Sequence, residues 1–268
     1  MTEEAPGHDT DSINTQYPQS ARVWNYWLGG KDNYAVDREA GDQFCEVFPG
    51  IVDIARASRA FIGRAVRYLA GEAGIDQFLD IGTGLPTMDN THQIAQRVNP
   101  AARIVYVDND PLVLAHARAL LTSTPEGVTR YLHADVHNPG TIVEGAAETL
   151  DFDRPIAVML MGILGHVGDY DEARSIVGEL MAAVCSGSYL ALNDGTDTNP
   201  VYSAATDSYN QSGAVPYILR SPAMIAGYFE GLEMVEPGLA SLSQWRVEAT
   251  VFGQPEPVDV YGAVARKP

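Results

Sequence analysis

The alternation of short apolar runs with amphipathic segments, which begins at Gln77, constrains the fold of this chain more than any other feature. Five apolar runs follow one another, each bounded by glycine, aspartate or asparagine: QFLDIG, RIVYVD, TRYLHAD, IAVMLMG and GSYLALND. Helical segments such as PLVLAHARALL and YDEARSIVGELMAAV lie between them. Continuous apolar strands joined by helices are typical of a parallel sheet with helices on both faces. We therefore predict an α/β, Rossmann-like fold with a mostly parallel, seven-stranded sheet, whose last two strands are LEMVEP and VYGAVARK.

The residues before this alternation are predicted to be helical and to form an N-terminal cap, residues 16–76, that precedes the main domain, residues 77–268. In SARVWNYWLGGKDNY, one helical face is formed by Val23, Trp24, Trp27 and Leu28, and the glycine pair at 29 and 30 ends the helix. A longer helix follows Pro49, and its spacing at 100° per residue predicts one apolar stripe. That stripe comprises Ile51, Ile54, Ala55, Ser58, Ile62, Ala65 and Leu69, with Arg56, Arg64 and Arg67 on the opposite, solvated face.

Arg59 lies at the edge of this stripe and has two interpretations. It could be an arginine whose aliphatic stem covers a packing margin while its head group reaches water. It could instead direct its guanidinium towards a ligand under the helix. The pattern alone leaves both open.

Composition narrows the class of ligand and the compartment. The 268 residues are 46% apolar but contain no run of 18 apolar residues, so no membrane span is expected. Two cysteines outside any metal-spaced pattern suit a reducing, cytoplasmic environment. A net charge of −18 repels phosphate backbones, so nucleic-acid partners are disfavoured and small or cationic ligands are favoured. The acidic start, residues 1–15, is predicted to be a disordered tail.

The ends of the predicted strands carry the residues with binding chemistry. In open parallel sheets, ligands bind beyond the carboxyl ends of the strands. Each feature there has an ordinary alternative: the glycines can make a tight turn, Asp108 can cap a helix before Pro111, and Asp135 can be a loop acid. Together, at consecutive strand ends, they predict a nucleoside-binding site. Its candidates are Asp80, Gly82, Thr83 and Gly84 after strand one, Asp108 and Asn109 after strand two, Asp135 and Val136 after strand three, and Gly162 after strand four.

The glycine turn disfavours a pyrophosphate ligand. A dinucleotide site needs a third glycine at the helix start, whereas this chain has Pro86 and Thr87 there. A ring of aspartates would also repel phosphates, but it suits the sulfonium and ammonium groups of S-adenosylmethionine. An NAD-dependent oxidoreductase is therefore the weaker alternative.

Several long motifs carry a family resemblance. RVWNYWLGGKDNY, ARASRAFIGRAVRYLA, FLDIGTGLPT, RIVYVDNDPLVLAHARALL and YFEGLEMVEPGL together resemble a bacterial family of class I S-adenosylmethionine-dependent methyltransferases of unassigned substrate. The resemblance implies that Asp80 and the backbone of Gly82 to Gly84 contact the methionine moiety. It implies that Asp108 binds the ribose hydroxyls and that Asp135, with the backbone of Val136, meets the adenine. The chain departs from the family pattern at Ser58, often Asn, and at Gly165, often Leu before the histidine.

The aromatic N-terminal stretch then has a candidate role as a lid over the cofactor. Glycines allow close backbone approach, and polar side chains of the stretch could bond the methionine carboxylate, with Arg59 reaching it from the next helix. The alternative is a purely structural aromatic cluster. The candidate cofactor contacts in this stretch are Gly29, Gly30, Lys31, Asn33 and Tyr34.

These observations predict a methyltransferase that acts by in-line transfer on a small-molecule acceptor and releases S-adenosylhomocysteine. The rival is a non-catalytic S-adenosylmethionine-binding sensor or regulatory module. A general base is optional in such a reaction; His166, which could equally cap a helix, and Asp194 are the candidates. No metal is expected, since His133 and His137 straddle a strand end. Residues 195–220 could form a substrate-side cap, and the candidate acceptor contacts are Trp27, Tyr202, Tyr209 and Tyr217.

Overall fold

A computed structural model of the chain describes residues 14–86, 89–120, 122–247 and 253–268. The predicted tail therefore lies almost wholly outside the described residues, and so does Thr87. The strands are β1 Gln77–Ile81, β2 Arg103–Asp108, β3 Val128–His133, β4 Ala157–Met161, β5 Tyr189–Gly195, β6 Glu233–Met234, β7 Ala240–Ser241 and β8 Val260–Arg266. The α-helices are α1 Ser20–Trp27, α2 Ala35–Val47, α3 Ile51–Arg67, α4 Thr91–Val98, α5 Pro111–Leu120, α6 Pro139–Ala146, α7 Tyr170–Ala183, α8 Pro200–Asn210 and α9 Pro222–Gly227.

The strands form a single mixed sheet in the order β3-β2-β1-β4-β5-β8-β6, with β7 also paired to β8. Strands β1 to β5 are mutually parallel, and β8 runs antiparallel between β5 and the edge. The order reverses direction at β1, where β2 lies on one side and β4 on the other. The predicted Rossmann-like, mostly parallel α/β fold is confirmed, and the reversal marks the switch point where ligands bind in such sheets.

The outer edge differs in detail from the predicted seven strands, because it is built from two short pieces. β6 pairs with the end of β8 (Glu233 opposite Arg266) and β7 with its start (Ala240 opposite Gly262). Between them the chain turns away from β8, and the amide of Gly238 donates to the carbonyl of Val235. Proline at 237 has no amide hydrogen to continue the ladder. The predicted strand LEMVEP is therefore short, and β7 was not predicted.

Side-chain alternation along the strands divides the core into two layers. Phe78 on β1 and Ile104 on β2 face one side, while the neighbouring Leu79 and Val105 face the other. The first layer packs against the N-terminal helices and α4, and the second packs against α6, α7 and α9. Both faces of the sheet are covered, as continuous apolar strands require.

The N-terminal helices share the first of these layers. The predicted stripe of α3 is buried except at Ile62, which is partly exposed, and Val23 and Trp27 of α1 join the same cluster as the sheet residues. Arg64 differs from the sequence prediction of a solvated face: its guanidinium donates to the carbonyl oxygens of Trp245 and Leu242 at 2.7 and 2.5 Å. The division of the chain into a cap and a domain at residue 76 stays a prediction.

Within the described ranges, no helix combines the length and the apolar character needed to cross a membrane.

Candidate functional site

A cavity of about 350 Å³ lies at the carboxyl ends of the parallel strands. Its floor is formed by the residues that follow β1, β2, β3 and β4, and α1 and α3 contribute its walls. The cavity therefore sits at the switch point of the sheet. Of the candidate residues, those that line it are Arg59, Asp80, Gly82, Thr83, Gly84, Asp108, Asn109, Asp135, Val136, Gly162, His166, Tyr202 and Tyr217.

The turn after β1 brings the backbone to the cavity. Gly82 and Gly84 have φ angles of 72° and 66°, which glycine adopts without strain. A Cβ atom on Gly82 would lie 2.6 Å from the Ile163 side chain, so this glycine makes room for the loop after β4. A Cβ atom on Gly84 would meet no atom of the described residues within 4 Å, although Gly84 lines the cavity. Gly84 thus faces open space where a ligand can approach the backbone.

Asp108, at the end of β2, fixes this turn. One carboxylate oxygen accepts from the amide of Gly84 and the other from the amide of Asp110, each at 2.9 Å. Burial raises the pKa of Asp108, while these amide hydrogen bonds act in the opposite direction. A carboxylate offers about four acceptor positions. Asp108 therefore keeps acceptor capacity for a ligand in the cavity, beyond the backbone amides of Gly84, Asp110 and Asn109.

Asp80, at the end of β1, is buried and accepts a hydrogen bond of 2.7 Å from the hydroxyl of Thr91, the first residue of α4. Burial raises the pKa of Asp80 to about 6, and the negative charge of Asp108 contributes to this rise. The hydrogen bond from Thr91 and the positive charge of Arg59 act in the opposite direction. Near neutral pH the carboxylate is ionised, yet at a free-energy cost that a cation in the cavity would relieve.

Asp135, after β3, lies at the more exposed end of the cavity. Its oxygens accept from the backbone and the ring Nδ1 of His137, at 2.9 and 2.7 Å, and from the amide of Asn109 at 3.0 Å. Burial acts to raise the pKa of Asp135, but the hydrogen bonds from His137 and Asn109 outweigh it, and the pKa is lowered. Asp135 therefore remains a carboxylate acceptor.

The N-terminal stretch reaches the cavity through residues that the sequence did not single out. Asn25 on α1 lines the cavity, and its side-chain oxygen accepts from the amide of Asp32 at 3.0 Å and from the side chain of Asn33 at 2.9 Å. A Cβ atom on Gly30 would overlap Asn25 at 2.4 Å. Asn33 and Gly30 thus position Asn25.

None of the candidate cofactor contacts predicted between residues 29 and 34 lines the cavity itself. Lys31 is exposed, and the ring of Tyr34 lies 5.2 Å from the guanidinium carbon of Arg22. Gly29 is exposed and has a φ of 78°, which ends α1. The lining face of α1 instead comprises Ser20, Ala21, Trp24, Asn25 and Leu28, preceded by Gln19.

A helical signal could have found this face, because Ala21, Asn25 and Leu28 follow the i, i+4, i+7 spacing of one helix surface. Ser58 and Ile62 also line the cavity, and both belong to the stripe that the sequence predicts for α3. The lining residues without such a signal are Leu85, Asn90, Thr91, Tyr106, Asp110, His137, Met161, Ile163, Asn193, Val215 and Val260.

His166 occupies the short helix Leu164–His166 after β4 and has both ring nitrogens engaged. Nδ1 lies 2.9 Å from the carbonyl oxygen of Pro216, and Nε2 lies 3.1 Å from the hydroxyl of Ser20. Burial lowers the pKa of His166, with the Pro216 contact acting in the opposite direction. Because a carbonyl oxygen only accepts, Nδ1 carries the proton, and the lone pair of Nε2 in the neutral ring accepts from the hydroxyl of Ser20.

Asp194, on β5, is not among the described residues that line the 350 Å³ cavity. It is fully buried, accepts from the hydroxyl of Tyr217 at 2.5 Å, and lies 3.3 Å from Nη1 of Arg220, which is also buried. Burial raises the pKa of Asp194 to about 6, against the hydrogen bond from Tyr217 and the charge of Arg220. Asp194 therefore holds Tyr217, which lines the cavity, in position and does not itself face the cavity.

A family model described as S-adenosyl methyltransferase matches residues 6–268, nearly the whole chain. The chain belongs to this S-adenosyl methyltransferase family. Two solved structures are similar to it over almost their full lengths. A DUF574 family protein from Streptomyces avermitilis MA-4680 is 44% identical, with a TM-score of 0.90, and the match covers 95% of this chain and 99% of the other. A protein from Thermobifida fusca YX, described as a candidate methyltransferase, is 38% identical, with a TM-score of 0.85 and coverages of 95% and 96%.

More distant methyltransferases share the fold alone. The mitomycin 7-O-methyltransferase MmcR is 16% identical, with a TM-score of 0.51, and the match covers 92% of this chain and 68% of that one. No functionally curated protein matches the chain significantly.

Of the two departures of this chain from the family pattern, Ser58 lies at the cavity and Gly165 lies next to a lining residue, His166. Ser58 lines the cavity, and its buried hydroxyl has no hydrogen-bond partner among the described residues. Gly165 precedes His166, and a Cβ atom there would lie 2.3 Å from the ring of Tyr217. The glycine at 165 therefore lets Tyr217 pack beside His166, whose ring centroid is 5.1 Å away.

A smaller cavity of about 30 Å³ adjoins the main one. Trp27 and Tyr209, the two acceptor candidates that do not line the main cavity, line this one. Five residues border both cavities: Ser20, Trp24, His166, Tyr202 and Tyr217. The four aromatic candidates thus lie around two neighbouring cavities.

The part of the chain that the structure describes contains no group of three or more histidine, cysteine or acidic residues placed to hold a metal ion. Nε2 of His133 lies 3.1 Å from the backbone oxygen of Asn109, and His137 contacts Asp135.

Proposed function

We propose that the cavity binds S-adenosylmethionine and that the protein transfers its methyl group to a small-molecule acceptor. The supporting observation is the position of Asp80, Asp108 and Asp135 at three consecutive strand ends on one side of a single cavity. Their carboxylates match the cationic and hydrogen-bond-donating groups of this cofactor, and they would repel the phosphates of a dinucleotide.

The donor and acceptor set of the cavity fits the cofactor along its length. Asp108 has acceptor capacity left for the ribose hydroxyls, and Asp135 offers a carboxylate for the adenine amino group. Asp80, whose pKa is raised by burial, would be stabilised as an anion by the ammonium group. Gly84 leaves open space where the ligand passes the backbone. Each of these three carboxylates therefore has a proposed partner group on the cofactor, in agreement with the roles that the family resemblance implies.

The residues that could bind the methionine carboxylate differ from the polar residues of the N-terminal stretch that the sequence suggested. Arg59 lines the cavity close enough to Asp80 to lower its pKa, and Asn25 and Ser58 border the same space. The buried hydroxyl of Ser58, without a partner among the described residues, would gain one from this ligand. We therefore assign the carboxylate to Arg59, Asn25 and Ser58, with Asn33 positioning Asn25.

Bound S-adenosylmethionine would supply a methyl group already activated by a positively charged sulfur. The protein's residues then have to align an acceptor and exclude water, which can provide most of the rate enhancement. α1 covers the cavity with Trp24 and Leu28 and is suited to that exclusion. A small-molecule acceptor agrees with the limited cavity volume, and the net charge of −18 disfavours nucleic acids.

Titration calorimetry with S-adenosylmethionine, S-adenosylhomocysteine and NAD tests the cofactor assignment. We expect one site per chain for the first two ligands and none for NAD. Release of S-adenosylhomocysteine in the presence of a metabolite library then separates an enzyme from the non-catalytic alternative, which would bind the cofactor without turnover. NAD binding with no response to S-adenosylmethionine would refute the proposal.

A further inference from the structure

The charges of the cavity are confined to one half of it. The carboxylates among the described lining residues lie at or just after the ends of β1, β2 and β3, and Arg59 lies beside Asp80. The half that follows β4, β5 and β8, together with α1, contributes no Asp, Glu, Lys or Arg among the described lining residues. It contributes Ser20, Trp24, Asn25, Met161, Asn193, Tyr202, Val215, Tyr217 and Val260. A charged acceptor would lose hydration in this half without gaining an ionic partner.

Three aromatic side chains, Trp24, Tyr202 and Tyr217, line the uncharged half. Further aromatic rings, which line the cavity of about 30 Å³ and not this one, pack behind them. The rings of Trp24 and Trp27 lie 5.6 Å apart, edge to face, and Phe44 continues the contact at 5.2 Å from Trp27. Tyr202 and Tyr209 each lie 6.2 Å from Phe44. Such a lining favours a planar, apolar ligand that can make offset or edge-to-face contacts.

One basic atom faces this space. Nδ1 of His166 is held as a donor by the carbonyl of Pro216, so the lone pair of Nε2 points to the hydroxyl of Ser20. Ser20 lines both cavities, and its hydroxyl therefore stands where a hydroxyl group of a bound molecule would find the same acceptor. Replacing one hydroxyl by another keeps the hydrogen bond at Nε2, while the Ser20 hydroxyl has to turn to another acceptor.

We infer that the acceptor is an uncharged aromatic alcohol, a phenol, and that Nε2 of His166 is its general base. This inference rests on the proposed methyltransferase function and adds the acceptor class and a catalytic residue. The acceptor's ring occupies the aromatic half of the cavity, and its hydroxyl takes the place of Ser20 at Nε2.

The transfer step balances on this assignment. The acceptor oxygen forms a bond to the methyl carbon with an electron pair, and the carbon–sulfur bond breaks with its pair going to sulfur. The hydroxyl proton passes to Nε2 and leaves His166 as imidazolium until it is lost to solvent. The products are an aryl methyl ether and S-adenosylhomocysteine. A phenol, with a pKa near 10, is acidic enough for a histidine to assist its ionisation in the transition state.

The groups around His166 preserve its role as a base. Ser20 approaches from α1, and Tyr202 and Tyr217 face the same space after β5. Below the turn, the guanidinium of Arg220 donates to the carbonyl oxygens of Leu164 and Val167, and its charge is paired with Asp194. Burial keeps the pKa of His166 below its usual value, so the ring is neutral and able to accept a proton at pH 7.

Four probes of similar size test the acceptor class: p-cresol, the anionic p-hydroxybenzoate, the cationic tyramine and toluene, which lacks a hydroxyl. We expect methylation of p-cresol at its oxygen, and at least tenfold lower kcat/KM for the two charged phenols. Calorimetry with the S-adenosylhomocysteine-loaded protein should show that p-cresol binds more tightly than either charged phenol. Equal or better use of a charged phenol, or no binding of p-cresol, would overturn the acceptor class.

His166→Gln keeps a donor for Pro216 and removes the base. We expect kcat with p-cresol to fall about a hundredfold or more, the acidic limb of its pH profile to disappear, and S-adenosylmethionine affinity to stay unchanged. The matched control is His116→Gln on α5, outside both cavities, which should leave kcat unaltered. Ser20→Ala should keep kcat and lower the KM for p-cresol.

The outcomes separate this inference from the function on which it rests. Unchanged kcat in His166→Gln would overturn the role of His166, and loss of kcat in Ser20→Ala would overturn direct contact between acceptor and base. If S-adenosylmethionine binds the wild-type protein but no phenol is methylated, the acceptor inference alone fails. If the wild-type protein does not bind S-adenosylmethionine, the proposed function and this inference fail together.

Discussion

A carboxylate oxygen of Asp37 lies 2.9 Å from Nε of Arg22, and both side chains are excluded from solvent. The pair joins the start of α1 to the start of α2. Asp37 also accepts from the backbone amides of Gln19 and Tyr34 at 2.9 and 2.8 Å. A single carboxylate thereby fixes both ends of the motif that contains α1, and so positions the face that covers the cavity.

Removal of Arg22 should destabilise the protein strongly. Arg22→Ala leaves a buried carboxylate without its counter-charge, and also removes the hydrogen bonds to the carbonyl oxygens of Asn14 and Tyr17. We expect a loss of about 3–5 kcal/mol in the free energy of unfolding, measured by urea denaturation. The exposed pair Arg56–Asp53, 3.5 Å apart, is the control: Arg56→Ala should cost less than about 1 kcal/mol. Equal effects would show that burial of the first pair is unimportant.

Asp108→Ala should weaken S-adenosylmethionine binding by about 1.5–3 kcal/mol, because it removes hydrogen bonds to a charged acceptor. That loss corresponds to roughly a tenfold to 150-fold increase in Kd and is measured by calorimetry. Circular dichroism should show an intact fold, although the amide of Gly84 also loses its acceptor. Wild-type affinity in a folded variant would exclude Asp108 as the ribose ligand.

Substitutions at Gly82 and Gly84 should affect stability and cofactor affinity to different extents. Gly82→Ala places a Cβ atom 2.6 Å from Ile163, so we expect a lower melting temperature. Gly84→Ala meets no described atom within 4 Å and carries only the strain of its positive φ, of order 1–2 kcal/mol. Gly84→Ala should therefore lose more cofactor affinity for a smaller loss in melting temperature. The reverse order would place the ligand elsewhere.

Cofactor affinity should depend on pH through Asp80. Its pKa of about 6 in the free protein means that the carboxylate is ionised above that pH and protonated below it. A cationic ligand binds the ionised form, so affinity should be constant above pH 7 and fall by up to tenfold per unit below pH 6. Thr91→Val removes a hydrogen bond that lowers this pKa, and it should move the midpoint upward. A midpoint unaffected by Thr91→Val would assign the titration to another group.

The sequence predicted those features that depend on local pattern. Apolar runs of five to seven residues gave the parallel strands, and the geometry of parallel sheets brought Asp80, Asp108 and Asp135 to one edge. The ends of these consecutive strands can be located in the sequence, and the parallel sheet places them side by side.

The parts that the sequence did not predict depend on pairs of residues distant along the chain. Asp194 looked like a residue at a strand end, but Arg220 and Tyr217 bury it from a segment more than twenty residues later. Asn25 was overlooked beside Lys31: helical spacing places it on one face with Ala21 and Leu28, but the spacing does not show that this face borders the cavity. β7 is two residues long and has no periodicity to detect.

The electron density of crystals soaked with S-adenosylhomocysteine tests the central claim most directly. We predict the ligand in the main cavity, with its ribose hydroxyls on Asp108, its adenine at Asp135, and its amino-acid end between Asp80 and Arg59. We further predict that its sulfur faces the half lined by His166 and Tyr217. Density in another cavity, or a reversed ligand with its adenine at Asp80, would contradict the account.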